Sequence, residues 1–172
     1  IPGRDGFYDL RKNEHAYKLK DTVIYQFSES LYFANIKIFV EDIEKNITDQ
    51  TKTVIVDAGA VTGMDITAAD QIEALAAELK RRGIRFFITE HMDQLNAEMR
   101  KLGIGHLIEE GMVRRTITAA LSASGMEKPY HLEGLGQQHS EKISWLPAEE
   151  ENSLEEFAWA FGDDAVRQIE NK

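Results

Sequence analysis

Two small polar residues, Asp65 and Thr67, lie where a strand gives way to a helix. The β-branched run at 53–56 is typical of a buried parallel strand, which we predict over 53–57, and the glycine-bearing loop 59–63 follows it. Behind the two residues, apolar side chains recur with the spacing of one helix face, starting from Ile72. Unpaired backbone N–H groups and the positive end of the helix dipole meet at such a junction, which favours a carboxylate or a phosphate there.

Two interpretations of this pair remain open. As helix caps, Asp65 and Thr67 would satisfy local backbone donors, a contribution of about 0.5–2 kcal/mol. As a regulatory, partner-binding site that includes Thr62 and Gly63, they would face another protein. Phosphorylation of Thr67 would then add about −1.5 to −2 charge beside Asp65 and change that surface.

Three consecutive large apolar residues, Leu31, Tyr32 and Phe33, come just before the helical pattern that begins at Ile36. From a loop they cannot all point into one core. They either fill the top of their own sheet or are covered by another chain, since exposed apolar clusters often mark interfaces. We therefore include them among the candidate partner-binding residues.

Other chemistry has little support in the sequence. The chain has no cysteine, which excludes disulfides, thiolate metal sites and a cysteine nucleophile. Its histidines share no metal-ligand spacing, and Ser28 and Ser30 lack the G-x-S-x-G frame of a hydrolase. The glycine-bearing loop matches neither phosphate-binding fingerprint, so nucleotide binding is not favoured. We expect no enzyme, no metal and no cofactor. His91 follows a strand at the edge where α/β sheets bind ligands, although a solvated loop histidine is the commoner case. A sensor that binds a small ligand at this edge of the sheet is a further interpretation of the chain.

Composition describes an ordinary folded domain. The 172 residues are 42% hydrophobic and 29% charged, with a formal net charge of −10. This balance argues against a nucleic-acid partner and against direct adhesion to an anionic membrane. No apolar run approaches the roughly 18 residues of a membrane span, and because the first residues lack an apolar run we expect no signal peptide. Because the sequence begins at Ile1, we expect a piece of a longer protein.

The predicted element order is ββαβαβαβα, which indicates an α/β fold with a mainly parallel sheet. Residues 17–20 and 22–27 read as a hairpin that turns at Lys20 and Asp21. A helical stripe from Ile36 to Ile47 follows, with Asn35 as its expected N-cap.

Further predicted elements complete the domain. A helix over about 67–82 ends at Gly83, and a strand at 84–88 follows it. Later elements are a helix that ends at Gly103, a short strand at 107–108 and a final helix marked by four residues: Val113, Ile117, Ala120 and Leu121.

The amino-acid composition changes after Gly125. We predict one domain over 1–125, an acidic linker over 126–152 and an amphipathic helix over 153–172. That helix would bury its apolar side either on its own domain or on another chain.

The order of elements with its strand–loop–Asp-x-Thr–helix unit resembles the STAS domain, shared by anti-sigma-factor antagonists and SulP-type anion transporters. Leu31–Asn35 is similar to a signature of the transporter branch, and residues 1–10 are similar to the segment that joins its last membrane helix to the domain. The resemblance covers about residues 1–122. The family usually has Asp-Ser-Ser/Thr-Gly where this chain has Asp65-Ile66-Thr67-Ala68.

The resemblance implies a non-enzymatic regulatory and assembly domain at the cytoplasmic face of the membrane. It would belong to a transporter of sulfate or a related small anion. Expected partners are the transmembrane domain of the same transporter, a second copy of the domain or another cytoplasmic protein. The alternative is a free-standing anti-sigma-factor antagonist that is switched by phosphorylation at Thr67.

Overall fold

The computed structural model describes residues 1, 6–128 and 130–134. The chain divides into two units, one of residues 21–126 and one that joins residues 1–20 to those after Met126. The predicted helix at 153–172 and most of the predicted linker lie outside the described residues. The three predicted domain boundaries therefore stay predictions.

Residues 21–126 carry a parallel sheet of three strands. These are β1 (Thr22–Gln26), β2 (Thr53–Asp57) and β3 (Arg85–Thr89), hydrogen-bonded in that order. In the shared register, Ile24 pairs with Ile55 and Ile55 pairs with Phe87. Parallel neighbours need a crossover connection, and helices supply both crossovers. The predicted α/β class is confirmed.

Five helices accompany the strands in the described part of the chain. The crossovers contain α1 (Ile36–Asn46) and α2 (Ile66–Arg81), and β3 is followed by α3 (Asp93–Lys101), α4 (His106–Glu109) and α5 (Ile117–Ala123). The helices predicted before Gly83 and Gly103 are confirmed to within a residue or two.

Side chains of the strands alternate between two buried faces. Val54, Val56, Phe86 and Ile88 belong to a core cluster that includes the buried stripes of α1, α2 and α3. Ile55 and Phe87 have the opposite parity, and α5 contacts both of their strands. Each fully buried aliphatic or aromatic side chain contributes about 1.5–3 kcal/mol, so this two-sided burial holds the strand ends in fixed positions.

A Schellman motif ends α2. The Gly83 N–H donates to the Lys80 carbonyl at 3.0 Å, and the Ile84 N–H donates to the Leu79 carbonyl at 2.8 Å. Gly83 has φ +72°, a conformation that costs other residues more than glycine. The prediction that Gly83 ends this helix is confirmed, and the turn at Gly83 directs the chain into β3.

The predicted hairpin before β1 is wrong. Residues 17–20 form no strand in the structure; Leu19 instead makes an isolated antiparallel bridge with Leu132. A two-residue hairpin turn of type I′ needs positive φ at both central residues, and Asp21 has it while Lys20 does not. β1 pairs with β2 in parallel because that pairing builds the doubly covered sheet.

The last predicted strand is also wrong. Leu107 and Ile108 lie in α4, with Leu107 buried in the core, and a two-residue apolar run cannot distinguish strand from helix. Val113, which we predicted in the final helix, makes a parallel bridge to Ile88 instead. Helix α5 begins later, where the Thr116 hydroxyl accepts the Ala119 N–H at 3.1 Å.

Candidate functional site

Two loops lie side by side at the carboxyl ends of β1 and β2, and main-chain hydrogen bonds join them. The Leu31 N–H donates to the Gly63 carbonyl at 2.9 Å, and the Asp65 N–H donates to the Leu31 carbonyl at 3.1 Å. Leu31 and Met64 thus form a parallel bridge beyond the regular sheet. We call the surface formed by Leu31–Phe33 and Thr62–Thr67 the platform.

The carboxylate of Asp65 accepts hydrogen bonds from the loop after β1 and from the start of α2. One carboxylate oxygen, Oδ1, accepts the Ala68 N–H at 2.8 Å and so caps α2, as the capping interpretation predicted. The other, Oδ2, accepts the Phe33 N–H at 2.9 Å. Sequence reasoning missed this second bond because Asp65 and Phe33 are far apart along the chain. The carboxylate therefore fixes the loop after β1 as well as the helix.

Thr67 occupies the second position of α2 and is exposed. Its hydroxyl makes no hydrogen bond to another residue that the structure describes. Thr67 is therefore not a cap of the kind that Asp65 is. Ile66, directly before it, is 54% exposed although its side chain is large and apolar.

Thr62 and Gly63 supply the tight contact between the loops. The Thr62 hydroxyl lies 2.8 Å from the Ser30 hydroxyl, so Ser30 is engaged with another hydroxyl. Gly63 is buried, and a Cβ at this position would lie 3.3 Å from the Tyr32 hydroxyl. A larger residue would press on Tyr32, so the small size of Gly63 permits the close approach.

The three apolar residues before α1 divide between the two predicted roles. Leu31 is 4% exposed and belongs to the core, whereas Tyr32 and Phe33 are 46% and 73% exposed. Leu31 anchors the loop in the core, and the aromatic rings of Tyr32 and Phe33 are exposed.

Asn35 occupies the predicted N-cap position of α1, but it does not cap the helix through its side chain. The amide oxygen accepts the Tyr32 N–H at 2.9 Å, and the amide nitrogen donates to the Ser30 carbonyl at 2.8 Å. The side-chain hydrogen bonds of Asn35 are therefore made within the preceding turn, and they fix the backbone that carries Tyr32 and Phe33.

Glu98 of α3 is a third support that the sequence did not reveal. Its carboxylate accepts the Met64 N–H at 2.8 Å and lies 3.4 Å from a Cβ built on Gly63. Helical periodicity marks Glu98 only as a polar position, and nothing in the local pattern indicates which backbone it reaches. Three elements therefore hold the platform: the loop after β1, the loop after β2 and α3.

The other candidate groups do not gather at the platform. The His91 ring nitrogen Nε2 lies 2.9 Å from the Asn96 side-chain amide, next to α3. Within the described residues, no group of three or more His, Asp or Glu side chains has the arrangement of a metal site. No helix in the described part of the chain combines the length and the apolarity of a bilayer crossing.

The fold and its paired loops define an α/β domain that presents an ordered, partly apolar surface at one edge of its sheet. The family profile described as "STAS domain" matches residues 14–120. The chain belongs to the STAS domain family.

Relatives place this domain within longer proteins. Over 126 residues the chain is 26% identical to two Mycobacterium tuberculosis proteins, "Probable sulfate transporter Rv1739c" of strain H37Rv and "Probable sulfate transporter MT1781" of strain CDC 1551. The match covers 72% of this chain and 22% of each relative. The chain thus spans about a fifth of the length of these relatives.

Solved structures share the fold. A sulfate transporter family protein from Wolinella succinogenes aligns with a TM-score of 0.55 at 18% identity, over 65% of this chain and 90% of that one. The murine Slc26a9 anion transporter aligns with a TM-score of 0.63 at 20% identity, over 70% of this chain and 21% of that one. The same STAS architecture therefore occurs at low sequence identity.

Proposed function

We propose that this chain is the regulatory and assembly domain of a SulP-type anion transporter for sulfate or a similar small anion. It lies at the cytoplasmic face of the membrane, contacts the transmembrane domain of the same transporter and catalyses no reaction. The observation that carries this proposal is the 126-residue match to two probable sulfate transporters, of which the chain covers 22%.

The platform is the proposed contact surface. Phe33 is 73% exposed, yet its own N–H is bound by Asp65 and the preceding Tyr32 N–H is bound by Asn35. An exposed aromatic side chain on a fixed backbone loses little entropy when a partner covers it. Tyrosine and other aromatic residues also supply much of the binding energy at protein interfaces. These properties support docking at the platform.

A small change at the loop Thr62–Thr67 would reach Phe33 through two routes. One is the carboxylate of Asp65, and the other is the pair of main-chain bonds between Leu31 and the second loop. Both routes are hydrogen bonds, so altering one loop alters the presentation of the other. We infer that this coupling conveys cytoplasmic signals to the transport domain.

The lack of an activity is part of the proposal. Ser30 bonds to the Thr62 hydroxyl and not to a base, and His91 contacts an amide. These contacts do not form the nucleophile–base pairs that covalent catalysis uses.

Site-directed cross-linking tests the docking. The chain has no cysteine, so Phe33→Cys in the full-length transporter gives the domain one thiol for a photoreactive reagent. We expect cross-links from this thiol to the transmembrane domain. Ile38→Cys on α1 is the matched control, because Ile38 is 56% exposed and lies outside the platform. Equal cross-linking from both positions, or none from Phe33→Cys, would contradict the proposal.

One observation favours the second candidate, a phosphorylation-switched antagonist. Thr67 is exposed at the start of a helix, where a phosphate meets a favourable dipole. Incubation with a serine/threonine kinase from the source cell and mass mapping of Thr67 test this candidate. Under the transporter proposal, Thr67→Glu keeps the fold and changes the strength of the contact with the transmembrane domain, and an unchanged contact would count against the proposal.

A further inference from the structure

Three large side chains of the platform are exposed: Tyr32, Phe33 and Ile66. Phe33 and Ile66 are 73% and 54% exposed, and the bond from the Phe33 N–H to Asp65 places the Phe33 backbone beside the residue that precedes Ile66. The Tyr32 ring extends toward the second loop, since its hydroxyl lies 3.3 Å from a Cβ built on Gly63. The three side chains come from two loops that are hydrogen-bonded to each other.

The segments around this surface are uniformly acidic. Residues 27–35, 57–70 and 89–98 contain no lysine or arginine. Within the described residues, none of their carboxylates forms an ion pair. Lys37, one turn into α1, is already 3.7 Å from Glu41. The carboxylates number seven: Glu29, Asp57, Asp65, Asp70, Glu90, Asp93 and Glu98.

The basic residues near the opposite ends of the strands and helices are, in contrast, largely neutralised. Arg114 and Arg115 border the acidic segments near Glu90, whose N–H donates to the Arg115 carbonyl at 3.2 Å. Five basic residues farther from the platform each lie within 4 Å of a carboxylate, so they do not offset its negative charge. They are Lys45 with Asp42, Lys52 with Asp21, Lys80 with Glu110, Arg81 with Glu78, and Arg82 with Glu44.

We propose that the platform binds a cationic amphipathic protein segment, in which lysine or arginine flanks at least one bulky apolar side chain. The inference rests on the proposed docking function and names the chemistry of the docked element. The apolar side chain covers Phe33 and Ile66, while the cations meet the surrounding carboxylates. An anionic ligand or an anionic membrane surface would be repelled by the same charges.

Peptide binding to the full chain tests this inference. A fluorescent amphipathic helix of leucine and lysine is the probe, and a peptide with glutamate in place of lysine is its control. We expect binding of the lysine peptide alone. Its affinity should fall about tenfold or more as salt rises from about 0.1 M to 1 M, because the Debye length shrinks from about 10 to 3 Å.

Charge reversal locates the binding surface. Asp70 and Asp93 are exposed and make no side-chain hydrogen bond within the described residues. The double variant Asp70→Lys/Asp93→Lys should weaken the lysine peptide about tenfold. Asp49 and Glu109 are exposed carboxylates outside the three acidic segments, so Asp49→Lys/Glu109→Lys should leave affinity within about twofold. Circular dichroism of each variant verifies folding.

The outcomes separate the two proposals. Salt-independent binding, equal loss in both double variants, or preference for the glutamate peptide would overturn the cationic-segment inference. Binding of anionic lipid vesicles without peptide binding would overturn it as well. Each of these results would leave the cross-linking test of Phe33→Cys untouched, because cross-links report docking whatever its chemistry.

Discussion

Asp65 is the residue whose removal tests the platform most directly. Asp65→Ala deletes the cap of α2, worth about 1 kcal/mol, together with the acceptor of the Phe33 N–H, worth about 1 kcal/mol more. The expected loss is about 2 kcal/mol of unfolding free energy. For a chain of this size that loss corresponds to about 4–8 °C in melting temperature.

Asp65→Asn separates the two contributions. Its single amide oxygen can accept one N–H in place of the two that the carboxylate accepts, so the expected loss is about 1 kcal/mol. Asp70→Ala on the same helix is the control and should stay within about 0.5 kcal/mol of the parent protein.

Urea unfolding measures these free energies. Amide hydrogen exchange measures the protection of the Phe33 N–H and of the Ala68 N–H separately. We expect the Phe33 and Ala68 amides to lose protection together in Asp65→Ala. A loss of stability below about 0.5 kcal/mol, or an unchanged exchange rate at Phe33, would refute the role of Asp65 as the joint support of both loops.

Three further predictions concern the scaffold. Leu31→Ala should cost about 2–5 kcal/mol by urea unfolding, whereas Phe33→Ala should stay within about 0.5 kcal/mol, and equal costs would contradict the division of roles between them. Gly83→Ala forces alanine into φ +72° and should cost about 1–2 kcal/mol in the same assay; an unchanged midpoint would show that the α2 terminus rearranges freely. The hydrogen bond from Arg81 holds the pKa of Glu78 below its usual value. Its stabilisation is therefore present above the unfolded-state pKa and is lost as pH falls through the folded-state pKa. Acid unfolding of Glu78→Gln should differ from the parent protein at neutral pH, and the difference should shrink only below about pH 4.5 and vanish below the folded-state pKa of Glu78; parallel curves throughout would contradict this.

Sequence reasoning succeeded where a local pattern was sufficient. The apolar run Val54–Val56 has no polar interruption, and it forms the middle of the central strand, as expected of a doubly buried element. Gly83 ends α2 because its conformation is set by the adjacent turn alone. In both cases the deciding information lies within a few residues.

Sequence reasoning failed where a local pattern allows more than one outcome or where distant residues decide. Asn35 has a good capping side chain, yet the loop before it offers competing partners at Tyr32 and Ser30. Leu107 is apolar in a short run that fits strand or helix equally, and the space in the core decided between them. The reach of Glu98 to Met64 depends on how α3 packs, which no periodicity encodes.

The bridge between Leu31 and Met64 has an evolutionary consequence. Its hydrogen bonds join peptide groups, so this link between the two loops does not depend on the exposed side chains of Tyr32, Phe33 and Ile66. Substitutions at the exposed positions can therefore accumulate without loss of the framework. Paralogues could acquire new binding partners by changing a few outward residues while inheriting the same backbone.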